Sequence, residues 1–214
     1  MGIKEGEVYK RSTLDKVKSE LVRSYASNGR YGAGVDKEEI KKPRNRLEIK
    51  IIVEEGNSAK IKKINIIGNE IFDDEELLNG FELSEGSFFS FLSNNNSYSR
   101  EKLKGDIETL ESFYKDRGYL KFSIESSQIS LSRDMKSIFI NFNIFEGSKY
   151  TISNAEVVGD IPLDDEVYLG IISSLNGLTY SQAQITSIEE FFVNILGNRG
   201  YAFAEVTGNP KVNE

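Results

Sequence analysis

The 214-residue chain contains no cysteine and no histidine. Without thiolates it can build neither a disulfide framework nor a thiolate metal site, and a cysteine-free chain suits reducing and oxidising compartments alike. Without imidazole the usual nucleophile–base pairs are unavailable, which leaves carboxylate, lysine and tyrosine for proton transfer. Long apolar runs are missing too. Clusters such as 64–67 and 191–193 fall far short of the ~18 residues a membrane-spanning helix requires, and no charged-then-apolar leader follows Met1. Positive charge is in deficit, with a formal net charge of −7. Nucleic-acid binding needs a concentrated basic face to displace counterions from phosphate, so nucleic acid is not expected as a partner.

What the chain does have is a repeated frame. In residues 98–124 an amphipathic helix ends at Gly118, an aromatic follows at once, and the chain turns extended. Tyr98, Leu103, Leu110, Tyr114 and Gly118 have counterparts in Tyr9, Leu14, Leu21, Tyr25 and Gly29, and in Tyr180, Ile185, Phe192, Leu196 and Gly200. A repeat this long is a small domain rather than a solenoid turn, and a unit of about 80–90 residues can bury a modest core of its own. Hydrophobic content of 38% with 11% aromatics is enough for such cores, which excludes a disordered class.

Taken in order, 13–25 reads as a helix with Leu14, Val17 and Leu21 on one stripe and Ser12 or Thr13 as its cap. Alternation of Leu47, Ile49, Ile51 and Val53 predicts a strand that Glu55-Gly56 ends. A second strand covers 61–67, and a short helix opens at Asp73 and Asp74 with Leu77, Leu78 and Phe81 on its apolar side. After the long helix come strands at 121–132 and 137–145, joined by the turn 133–136. Glu146-Gly147 closes this unit, and a strand at 151–158 restarts the pattern. The full unit therefore runs strand, helix, helix, strand, strand. The frame predicts modules at 1–58, 59–148 and 149–214, with the first lacking its opening strand and helix and the third its last strand, as in a piece of a longer protein. Both end modules are then expected to be poorly ordered or to rely on neighbours.

The order of elements, the terminal Glu-Gly, the apolar opening of 61–69 with its Gly-Asn, and a helix ending in Gly-Tyr resemble POTRA domains, the periplasmic polypeptide-transport-associated modules. Segments 105–131 and 43–56 are similar to the POTRA strings of outer-membrane protein assembly factors, where they match the second half of a second POTRA, a whole third and most of a fourth. That resemblance implies an α+β fold of tandem β-α-α-β-β modules, each a three-stranded mixed sheet covered on one face by two helices. It also implies a site at the periplasmic face of the bacterial outer membrane. There the string receives unfolded outer-membrane proteins, docks assembly lipoproteins and feeds the protein's own C-terminal membrane barrel. The fragment itself is expected to be soluble. No cofactor, metal or catalytic residue follows from the likeness, and the chain is expected not to be an enzyme.

Candidate residues divide accordingly. If the last strand of the middle module is central, the strand after the long helix keeps a free edge, and an extended client can add there through main-chain hydrogen bonds. That edge comprises Phe122, Ser123, Ile124, Glu125, Ser126, Ser127, Gln128, Ile129, Ser130 and Leu131. Its small polar side chains select register weakly, which suits a promiscuous binder. Proline at Ile124 or Gln128 is expected to remove an edge donor. Phe88, Phe89, Phe91 and Leu92, with Arg133, form a possible partner patch for side-chain docking of accessory proteins, the alternative reading. The acids Asp73, Asp74, Glu75 and Glu76, and likewise Asp164, Asp165 and Glu166, complement a helix N-terminus. A carboxylate-dependent envelope hydrolase is the remaining alternative, with Glu75 its test residue. Lys37, Lys41, Lys42, Arg44 and Arg46 form a basic cluster that reads as a solvated turn. Gly118 and Gly200 read as left-handed helix caps, with Tyr119 and Tyr201 as packing anchors.

Overall fold

Helix α1 (Arg11–Ser27) buries Leu14 and Val17 on the stripe its 3.6-residue period predicts. Its N-cap is Lys10, which makes no side-chain cap bond, so the cap expected of Ser12 or Thr13 lies inside the helix instead. These assignments come from a computed structural model that describes residues 5–86, 96–159, 162–163 and 165–213. Strands β1 (Gly34–Lys42) and β2 (Arg46–Glu54) form an antiparallel hairpin registered from Gly34↔Glu54 to Lys42↔Arg46. Its turn places Arg44 at φ 63 and Asn45 at φ 54. Two successive left-handed residues give a turn whose twist matches that of the strands it joins.

The middle of the chain supplies β3 (Lys60–Ile67), α2 (Asp74–Leu78), α3 (Arg100–Lys115), β4 (Ser123–Leu131) and β5 (Ser137–Phe145). The sheet order is β3-β5-β4, with β3 parallel to β5, so the last strand is central. Strict alternation along β5 explains its place. Ile138, Ile140, Phe142 and Ile144 are at most 5% exposed while Ser137, Phe139, Asn141 and Asn143 between them are half-buried. Each such side chain contributes about 1.5–3 kcal/mol on burial, and a one-residue slip would turn all four outward. This is the mixed α+β architecture expected, with helices against one face of a three-stranded sheet.

Farther on, α4 (Asp165–Ser174) and α5 (Gln182–Asn198) pack around Leu163, Ile172, Leu175 and Phe192. Ser181 caps α5 by accepting the Gln184 N–H at 3.2 Å. The strand expected at 151–158 is not formed: Thr151 makes only an isolated bridge to Thr179. Among the described residues no strand lies alongside it, and a lone extended segment has no ladder to close. Gly118 and Gly200 sit at φ +102 and +96, as their cap role requires. Tyr119 is buried, whereas Tyr201 is 49% exposed.

Contacts divide the chain into two compact units. One, Met1–Ile67 with Asp74–Ile107 and Ser126–Asn143, holds the β1–β2 hairpin and most of the three-stranded sheet. The other, Gly68–Asp73, Glu108–Glu125 and Ile144–Glu214, holds the aromatic cluster around Tyr114 and the α4–α5 pair.

Candidate functional site

The edge of the three-stranded sheet is built from its turn. Asp134 Oδ1 accepts the Ser132 hydroxyl at 2.6 Å and the Lys136 N–H at 3.1 Å, while Ser132 Oγ accepts the Ser137 N–H at 2.9 Å. The Ser132 bond, seconded by the Lys136 N–H, holds the Asp134 carboxyl below the usual aspartate range. Across the base of the turn the Ser132 N–H donates to the Ser137 carbonyl at 2.9 Å, and farther along the Asn143 amide donates to Ser126 Oγ at 2.6 Å. Ser132 is therefore opposite Ser137 in a hydrogen-bonded pair, and Ser126 opposite Asn143.

Antiparallel ladders alternate, so every second residue of β4 directs its N–H and C=O at β5. Counting from Ser132 to Ser126, these are Ser130, Gln128 and Ser126. Leu131, Ile129 and Ser127 direct theirs away from β5. Among the described residues no strand lies on that side. The expectation about proline at Gln128 is corrected by this register. The amide of Gln128 belongs to the internal ladder, and the edge donors beside it are those of Ser127 and Ile129. Ser123, Glu125, Ser127, Gln128, Ile129 and Ser130 are exposed, while Ile124, Ser126 and Leu131 are half-buried.

Phe122 does not belong to the edge. It precedes β4, is 5% exposed, and stacks on Tyr114 with ring centroids 4.1 Å apart and planes 8° from parallel. An aromatic that follows a left-handed turn has a large apolar area to bury, and here burial wins over extension of the strand. Tyr119 joins the same cluster, 5.8 Å from Tyr114, and Phe72 lies 5.3 Å from it. Arg133 is exposed on the turn, whereas Phe88, Phe89, Phe91 and Leu92 lie outside the described residues.

Two buried carboxylates escaped the sequence reading. Glu146, 7% exposed, accepts the N–H of Glu70 at 2.9 Å, the N–H of Ile71 at 3.2 Å and the Tyr114 hydroxyl at 2.8 Å. Asp106, 1% exposed, accepts the N–H groups of Glu82 and Leu83 at 2.7 and 3.1 Å. Burial raises the Asp106 carboxyl above the usual range, and those two N–H groups oppose the shift. Both carboxylates pin loops. The recurring Glu-Gly marked Glu146 as a unit's end, and its fixed partner, the helix tyrosine, was the available clue to its role.

Of the remaining candidates, Asp164 and the Asp165 side chain lie outside the described residues, and the others are surface features. Asp73, Asp74, Glu75 and Glu76 are all exposed, and among the described residues no acidic group clusters as a metal site would. Within the basic cluster, Lys42 pairs with Glu48 at 2.7 Å and Lys37 with Glu39 at 3.2 Å. No helix of the described chain is long and apolar enough to cross a membrane.

A family model, POTRA, described as surface antigen variable number repeat, matches residues 1–56, 59–147 and 150–214. Over 213 residues the chain is 27% identical to the outer membrane protein assembly factor BamA of Neisseria meningitidis serogroup B, an alignment covering 99% of this chain and 27% of that protein. It is 26% identical over 212 residues to BamA of Buchnera aphidicola, covering 99% of this chain and 34% of that one. The chain thus spans about a quarter to a third of these relatives. A crystal structure of BamA POTRA3-5 from Haemophilus influenzae superposes with a TM-score of 0.51 at 17% identity, covering 92% of this chain and 73% of that one.

Proposed function

Because this chain belongs to the POTRA family, we propose that it is a periplasmic scaffold segment of the outer-membrane β-barrel assembly machinery. In that role it holds unfolded outer-membrane proteins by strand addition at β4. The observation that carries the reading is the β4 edge itself. Three successive outward positions, Ser127, Ile129 and Leu131, present main-chain donors and acceptors beside a polar, mostly exposed surface. Main-chain pairing supplies affinity that does not depend on the client's sequence, and small side chains leave register loosely specified. Strand addition needs no cofactor and no catalytic group. The similarity to BamA, together with the POTRA matches at residues 1–56, 59–147 and 150–214, supports placing the chain between the periplasm and a membrane barrel, where assembly lipoproteins also dock.

Proline at an outward position removes one edge donor without touching the internal ladder. Ser127→Pro and Ile129→Pro are therefore expected to weaken photocrosslinking of a synthetic outer-membrane strand peptide to the chain while far-UV circular dichroism stays unchanged. Gln128→Pro breaks β4 from β5 and is expected to lower stability instead. Full crosslinking in a folded Ser127→Pro variant would refute strand addition at this edge. If crosslinking is instead lost on Arg133→Ala alone, the chain docks its partners through side chains.

A further inference from the structure

A sheet of three strands has two edges, and the one formed by β3 is already occupied by the chain itself. The Gly86 N–H donates to the Ile61 carbonyl at 3.1 Å, and Glu85 Oε1 accepts the Ile64 N–H at 3.0 Å while pairing with Lys63 Nζ at 3.0 Å. Nearer the start of the strand, Lys60 bridges to Ser97, both through an isolated ladder contact and through its ammonium at 2.8 Å. The segment 82–86 is held at its other end by Asp106, whose two carboxylate oxygens take the N–H groups of Glu82 and Leu83. Leu83 is only 2% exposed.

The chemistry of this cover matters. A backbone strand laid on β3 would satisfy that edge and present a new row of donors and acceptors on its own far side. A carboxylate satisfies the Ile64 N–H and presents none, so the ladder stops there. Without such cover β3 would be an adhesive edge, since its sequence is KIKKINII and Ile67 is 54% exposed. The β4 edge has the opposite character: no covering strand among the described residues, and four serines to two isoleucines where β3 has four isoleucines and no serine.

We propose that the segment 82–86 is an edge guard that closes the β3 side to extended polypeptides, so that a client strand adds to this sheet at β4 alone. Glu85 determines that specificity, and Asp106 is the positioning residue that holds the guard in place. The inference rests on the strand-addition reading and adds to it a direction. Growth of the sheet is one-sided, and the bound client always lies on the same flank of the module.

The test uses the full chain with benzoyl-phenylalanine at Lys62 on β3 or at Ser127 on β4, and as probe a synthetic peptide of about ten residues with the alternating pattern of an outer-membrane strand. The unaltered guard is expected to give crosslinks at Ser127 and background at Lys62. Glu85→Ala, at a half-exposed side chain, is expected to raise Lys62 crosslinking roughly fivefold, the factor one net hydrogen bond carries, with Ser127 crosslinking unchanged. Glu85→Gln keeps an acceptor oxygen and is expected to keep the guard closed. Asp106→Asn, which turns a donor toward one of two N–H groups, is expected to open it as well. Crosslinks at Lys62 equal to those at Ser127 in the unaltered chain would overturn the guard and leave β4 binding standing. So would a Lys62 signal that stays at background in Glu85→Ala while the Ile64 amide exchanges faster. Silence at both positions in every variant overturns the strand-addition reading and the guard together.

Discussion

The chain carries the same pair twice in two settings, and that gives a sharp prediction. Tyr114 donates to Glu146 at 2.8 Å, and in the first module Tyr25 lies 3.5 Å from Glu55, its counterpart in the repeat. Glu146 is 7% exposed and serves three donors, one of them the hydroxyl of the fully buried Tyr114. The Glu55 side chain is 57% exposed and has Arg30 at 3.2 Å as its other partner. Removing the acceptor leaves the buried Tyr114 hydroxyl with neither partner nor water and releases the N–H groups of the exposed Glu70 and Ile71, about 1–3 kcal/mol for each group left unsatisfied. With three donors that relax together, Glu146→Ala is expected to cost about 3–4 kcal/mol. Exposed ion pairs contribute about 0–1 kcal/mol, so Glu55→Ala is expected to cost well under 1 kcal/mol. Tyr114→Phe removes one donor and leaves the carboxylate two, an intermediate loss of about 1–1.5 kcal/mol. Urea unfolding followed by far-UV circular dichroism ranks the variants, and amide exchange places the effect. The Glu70 and Ile71 amides should exchange on the order of 10²–10³-fold faster in Glu146→Ala, the free-energy loss expressed as an opening constant. Equal costs for Glu146→Ala and Glu55→Ala, or unchanged protection at Glu70 and Ile71, would refute the claim that burial and not the motif sets the energy.

Gly118 and Gly200 offer a second matched pair. Both have positive φ, so alanine at either pays about 1–2 kcal/mol of backbone strain. A Cβ at Gly118 would also lie 2.8 Å from Thr179 Cγ2 and 3.1 Å from the Tyr150 carbonyl oxygen, whereas at Gly200 nothing lies within 4 Å. Gly118→Ala is therefore expected to lose about 1–3 kcal/mol more than Gly200→Ala in urea melts, and equal losses would show that the contact yields freely. The two shifted aspartates predict opposite pH dependences. Burial raises Asp106 in the folded state, so its contribution is greatest at low pH and is lost as pH rises from the ordinary aspartate range through the raised value. The stability difference between the unaltered chain and Asp106→Asn should shrink with rising pH, and growth of that difference would contradict the sign. Asp134 is lowered by the Ser132 hydroxyl and the Lys136 N–H, so its contribution to the turn is present above the ordinary range and disappears as pH falls through the lowered value. In Asp134→Asn, amide protection at Lys136 should lose that acid-side dependence.

Much of the architecture was legible because the repeat supplied three readings of one pattern. The alternation of Ile138, Ile140, Phe142 and Ile144 and the Gly118 cap each follow from local periodicity, and the central place of β5 follows from the order of elements with a two-helix crossover. What local pattern could not carry was partnership. Residues 151–158 have the composition of a strand, yet a strand exists only where a neighbour closes its ladder, and that neighbour is a tertiary fact. Phe122 reads as the first residue of an extended run because nothing in the sequence says that Tyr114, on the preceding helix, will offer it a parallel ring. The proline expectation at Gln128 failed for a related reason. Which amides of β4 face outward depends on where the ladder begins, and that is set by Asp134 gathering Ser132 and Lys136 in the turn, a detail of hydrogen bonding rather than of hydrophobic pattern. The same logic governs the candidate site as a whole. Position in the sheet makes β4 available, but it is Glu85 and Asp106, two acids with no recurring signature, that settle which edge of the sheet stays open.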